Sequence, residues 1–108
     1  MGLTPSQLEW NMKLWWPQAE TMISYAKLFA NSYEQVHLDR LKLVTDWTYS
    51  HLVDIEHGEW FGYSDRAGEV THTFKGGAYK GCFHVPRALL LIDQALQVAI
   101  DTLSAKQQ

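Results

Sequence analysis

The chain has 108 residues, of which 46% are hydrophobic and 19% charged. That balance excludes a disordered segment and fits one packed domain over residues 1–108. The net charge is −3 with Lys and Arg scattered, which gives no electrostatic footprint for nucleic acid or an anionic membrane. Cys82 is the single cysteine, so neither an internal disulfide nor a multi-cysteine zinc site is possible, and it is read as a small packed residue. The start, MGLTPSQLEW, lacks a secretion pattern, and the longest apolar run, ALLLI, is too short to span a bilayer. A soluble, cytoplasmic protein is expected. Five Trp is a heavy load for this length, pointing to a cleft or a partner surface.

After a polar start, WWPQAETMISYAKLFANS predicts a helix with Pro17 in its first turn, where the missing N–H costs nothing. Ala19, Met22, Ile23, Ala26, Phe29 and Ala30 recur at helical spacing on one face, with Glu20, Ser24, Lys27 and Asn31 opposite. Ser32 and Gln35 have the spacing of a capping box and announce a second helix ending near Asp54. Val36, Leu41, Leu43, Val44, Trp47 and Leu52 form its expected apolar face. The Gly- and aromatic-rich stretch that follows predicts a short β-hairpin near 59–74, turning at SDRAG. KGGAYKG looks like a phosphate loop, but Gly81 is followed by Cys82 and Phe83 where a P-loop needs Lys and then Ser or Thr. Pro86 opens the last helix, whose Leu89, Ile92, Leu96, Ala99 and Leu103 make a stripe widened by Leu91, Ala95 and Val98. A face that wide calls for neighbours on both sides, as in a large helical assembly.

His84 precedes this helix start, where unpaired N–H groups and the positive end of the dipole disfavour the imidazolium. The placement predicts a neutral ring able to take up a proton, a candidate general base. A core histidine satisfied by hydrogen bonds is the alternative. Glu20 lies in the predicted first helical turn, where the dipole stabilises a carboxylate, and on its own reads as a solvated helix-start acid. Trp15 and Trp16 offer ring faces to a sugar or pack in the core, and Arg87 is a ligand clamp or part of an exposed face. His37, His51, His57 and His72 match no zinc spacing, and no metal or cofactor is expected. Asp54, Glu56 and Glu59 read as a solvated acidic turn, and no nucleophile elbow is present.

Three segments, KLWWPQAE, GEWFGYSDRAG and KGCFHVPRALLL, together resemble the C-terminal part of N-acylglucosamine 2-epimerases in order and spacing. The resemblance implies an all-α fold of helical hairpins, the C-terminal portion of an (α/α)6 barrel, beside the short β-hairpin near 59–74. Twelve helices of ordinary length do not fit in this chain. It implies interconversion of N-acetylglucosamine and N-acetylmannosamine by proton removal and return at C2, with His84 as one acid/base group and Glu20 as an active-site residue that holds the substrate or orients the base. The same motifs put Trp15, Trp16, Gln18 and Arg87 on the substrate side. The second acid/base histidine belongs, by resemblance, to a part of the barrel not present here, so an isolated monomer is expected to be inactive. An aldose–ketose or cellobiose-type isomerase on the same barrel, and a non-catalytic helical interaction module, are the competing expectations. The partners anticipated are a small sugar and either further copies of the chain or an N-terminal barrel polypeptide.

Overall fold

The computed structural model describes residues 12–76, 80 and 83–106. In chain order these form β1 (Met12–Leu14), α1 (Trp15–Ser32), α2 (Gln35–His51), β2 (Tyr63–Asp65) and α3 (His84–Lys106). The expected three helices are there, with α1 packed between α2 and α3. Cys82 lies outside the described residues, as does most of KGGAYKG.

α1 starts from an extended Leu14, and Pro17 occupies the first turn as its locked φ and absent donor allow. Trp15, Ala19, Met22, Ile23, Ala26 and Phe29 are its buried face. The helix stops at Tyr33, in the left-handed region, whose N–H donates to Phe29 O at 2.7 Å. The expected capping box does not form. Ser32 is still helical, so its hydroxyl donates back to Leu28 O and accepts the Glu34 N–H, and α2 begins at Gln35, with Glu34 as an N-cap whose side chain makes no capping bond.

α2 is the second departure. Of its expected apolar face, Leu41 and the Leu52 that caps it are buried and Val44 is half-buried, while Val36 is exposed and Leu43 is 73% exposed. α1 packs against α2, and Val36 and Leu43 remain outside what its neighbours cover. The helix also ends at His51, short of Asp54. Asp54 instead organises the following turn, accepting the N–H groups of Glu56 and His57 and the Lys75 ammonium at 2.6 Å. Lys75, the largest influence, and the His57 N–H pull its carboxyl down to about 2.

The hairpin turns where SDRAG predicted: Asp65 N–H donates to Glu69 O, Gly68 N–H to Asp65 O and Thr71 N–H to Tyr63 O. Its second arm pairs only at Ser64↔Val70. The regular partner of β2 is β1, antiparallel in the register Met12↔Asp65, Lys13↔Ser64, Leu14↔Tyr63, a strand the polar start did not announce. Trp15 N–H donates to Gly62 O, which ties the start of α1 directly to this small sheet.

The core gathers Trp15, Ala19, Met22, Ile23 and Ala26 of α1, Leu41, Trp60, and Val85 and Ala88 of α3. Alanines at Ala19, Ala26 and Ala88 are fully enclosed, and so small a side chain lets the helix backbones approach closely. α3 is long and apolar enough to cross a membrane by length and composition alone. It nevertheless carries an exposed polar row, Asp93, Gln94, Gln97 and Asp101, and packs Val85, Ala88 and Ala99 inward. Of the predicted stripe, Ala99 is buried and Leu89 exposed, and Leu90, Val98 and Ile100 are also open.

Gly68 carries the tightest backbone constraint in the hairpin. Its φ is +93°, and a Cβ there would lie 2.3 Å from Cδ2 of His51, whose ring is fixed by a hydrogen bond to Trp47 O and by stacking on the Trp47 indole. Gly68→Ala is therefore expected to destabilise the chain by about 1–3 kcal/mol, seen as a lower urea midpoint. An unchanged midpoint would contradict the packing of Gly68 on His51.

Candidate active site

Glu20 lies in the second turn of α1, on the side turned toward α3, and His84 and Arg87 occupy the first turn of α3. The side chains meet across the helix pair. Arg87 Nη1–H donates to Glu20 Oε1 at 2.6 Å, and His84 Nδ1 lies 3.1 Å from the same oxygen. Positions three apart on one helix share a face, which is why His84 and Arg87 reach one carboxylate. Pro86 lies between them in the opening turn, where its fixed φ favours the helix without removing a needed donor.

Glu20 is held below its ordinary value, chiefly by the Arg87 hydrogen bond, against a smaller upward push from burial, with the His84 bond next. It is therefore ionised near neutrality and can only accept hydrogen bonds. The contact with His84 then requires a hydrogen on Nδ1, so in the neutral ring Nε2 keeps the free lone pair. A carboxylate that fixes the tautomer of an imidazole and orients it is the arrangement used to prepare a general base.

Aromatic rings enclose the histidine. The Trp15 indole is buried and meets it edge-on at 6.3 Å, Trp16 lies tilted at 6.0 Å, and Phe83 meets it edge-on at 4.8 Å. The Arg87 guanidinium lies 5.5 Å over the Phe83 ring. His84 retains 28% side-chain exposure and Trp16 is more open still, so both are accessible to a small molecule.

Of the residues singled out from sequence, Glu20, His84, Arg87, Trp15 and Trp16 come together. Trp15 does so as a core residue, buried against Tyr63 and Gly62. Gln18 does not join them: it lines a groove between α1 and α2 with Lys13, Thr21, Tyr25, Arg40 and Trp47. Two residues missed by sequence reasoning border the site. Phe83 was legible in principle, since it lies four residues before Arg87 and next to His84. Lys80, buried three residues earlier, gave no sequence signal, because lysines are ordinarily exposed. Among the described residues no three His, Cys, Asp or Glu side chains gather in a metal-binding group.

The profile of the N-acylglucosamine 2-epimerase family matches residues 4–88. The chain is 46% identical over 102 residues to an N-acylglucosamine 2-epimerase of Mus musculus, covering 94% of this chain and 24% of that protein. It is 47% identical over 92 residues to that of Homo sapiens, covering 85% of this chain and 22% of the other. Among solved structures, cellobiose 2-epimerase from Spirochaeta thermophila superposes with a TM-score of 0.73 at 30% identity, over 82% of this chain and 23% of that one. A D-mannose isomerase superposes with a TM-score of 0.71 at 19% identity, over 77% of this chain and 22% of that one, a likeness of fold. The chain thus spans about a quarter of the length of the relatives it matches.

Because the carboxyl of Glu20 is depressed in the folded chain, its contribution to stability is present above the ordinary value of 4.5 and is lost as pH falls through the lower folded value. Arg87→Met removes the largest cause. The Glu20 carboxyl, followed by its 13C resonance, is expected to titrate at higher pH in that variant, and an unmoved titration would show that Arg87 does not hold it.

Proposed function

Because the chain belongs to the N-acylglucosamine 2-epimerase family, we propose that it supplies one half of the proton-transfer machinery of a sugar 2-epimerase acting on N-acetylglucosamine and N-acetylmannosamine. The observation that carries this reading is the oxygen of Glu20 shared between Arg87 and His84.

In the proposed step, Nε2 of His84 takes the proton from C2 of the open-chain sugar. The C–H electrons form the C1–C2 double bond and the carbonyl oxygen becomes an enolate. The imidazolium so formed is stabilised by the Glu20 carboxylate on its other nitrogen, and the paired Arg87 keeps that carboxylate ionised. The exposed face of Trp16 suits the C–H surface of a pyranose or its open chain. Inversion needs a second acid/base group on the opposite face of C2. We assign it to the remaining three quarters of the barrel, whether carried on the same polypeptide, on another, or by further copies. The open apolar side chains of α3, Leu89, Leu90, Val98 and Ile100, support such a covering, since apolar surface of that extent marks contact with other protein. We also propose a cytoplasmic location, in keeping with the single cysteine. Relatives at 44–47% identity favour the amino sugars over the cellobiose-type substrate of the 30% identical structure.

A chimera in which this chain replaces the matching quarter of the mouse enzyme tests the reading. It is expected to exchange the C2 hydrogen of N-acetylmannosamine in deuterated water, and His84→Ala is expected to slow exchange by about 10²–10⁴-fold. Exchange unaffected by that substitution removes His84 from the mechanism, and a preference for cellobiose or mannose moves the substrate to the alternative isomerase class.

A further inference from the structure

Lys80 is the least expected side chain in the molecule. It is four residues before His84, and only 1% of its side chain is exposed. Its ammonium lies 3.2 Å from Glu59 Oε1, yet makes no hydrogen bond of good geometry among the described residues. Its stem packs where a Cβ on Gly62 would meet Cδ at 3.1 Å and the Trp15 ring at 3.4 Å, so lysine stem, glycine backbone and indole form one close-packed stack. Glu59 is itself constrained. It has a φ of +64°, follows Gly58 in the same region, and accepts the Trp60 N–H at 2.6 Å.

Removing an ammonium from water is costly, and one carboxylate at this distance repays only part of the cost. A hydrophobic side chain of the same length would fill the space more cheaply. What the ion pair adds is direction, because a charge has to sit opposite Glu59 whereas an apolar chain can slide. Glu59 belongs to the turn that carries Trp60 into the core and Gly62 onto the Trp15 N–H. Trp15 in turn meets the His84 ring.

We propose that Lys80 is a positioning residue for His84: the ion pair of its buried ammonium with the more exposed carboxylate of Glu59, its stem stacked on Gly62 and Trp15, sets the register in which the His84 ring meets Glu20. The inference deepens the acid/base reading of His84 and rests on it, but its test follows the ring's hydrogen bond and not turnover, so failure of the sugar chemistry leaves the test intact.

The experiment compares the chain with its Lys80→Met, Lys80→Arg and Glu59→Gln variants by 15N-resolved NMR of the His84 ring. In the parent chain the Nδ1–H proton, directed at Glu20 Oε1 3.1 Å away, is expected to be slowed in its exchange with solvent. Lys80→Met, which keeps the stem and removes the charge, is expected to speed its exchange with solvent by about ten-fold or more, while amides in the middle of α1 keep their protection. Lys80→Arg is expected to restore much of it. A folded Lys80→Met chain with parent-like protection of Nδ1–H overturns the proposal. If Lys80→Met does not fold, Glu59→Gln, which leaves the lysine stem in place, decides by the same criterion.

Discussion

The site depends on one carboxylate oxygen. Oε1 of Glu20 is where α1 and α3 exchange polar contact, and it receives both the Arg87 guanidinium and the His84 ring. These groups are about a third exposed, so the contact contributes little net stability. Its consequence is chemical. An ionised acceptor on one ring nitrogen dictates which tautomer the neutral ring adopts and leaves the other nitrogen with its lone pair free.

That contact is possible because the apolar packing beneath it is close. Ala19 and Ala26 on α1 and Ala88 on α3 are enclosed without bulk, Trp15 fills the end of the interface, and Gly62 lets the lysine stem and the indole approach the strand backbone. The sheet of β1 and β2 holds the N-terminus of α1 in place through the bond from Trp15 N–H to Gly62 O. The remaining surfaces are less complete. Leu43 on α2 and Leu90, Val98 and Ile100 on α3 stay open, in keeping with a chain that covers about a quarter of its relatives.

Much of this was legible in the residues. The spacing of Ala19, Met22, Ile23, Ala26 and Phe29 marks the buried face of α1, and SDRAG marks the turn of the hairpin. The motifs WWPQAE and GCFHVPR name the residues that meet. What was not legible depended on partners distant in sequence. A three-residue strand at Met12–Leu14 exists because Tyr63–Asp65 lies beside it, and no local periodicity encodes that. Ser32 and Gln35 have capping-box spacing, yet α1 continues through Ser32 and takes its hydroxyl back to Leu28. Val36 and Leu43 fit an apolar face by period, but a helix buries only the side that a neighbour covers. Glu59 stays exposed, as a solvated turn acid would, but nothing local in the sequence announces the buried Lys80 ammonium that pairs with it.

The most direct test of the central contact is the tautomer of His84, read from the 15N shifts of its ring nitrogens at a pH where the ring is neutral. A hydrogen on Nδ1, directed at Glu20, with Nε2 unprotonated, is the predicted result. A ring carrying its hydrogen on Nε2 would contradict it, since Nδ1 would then face an ionised carboxylate with no hydrogen to share.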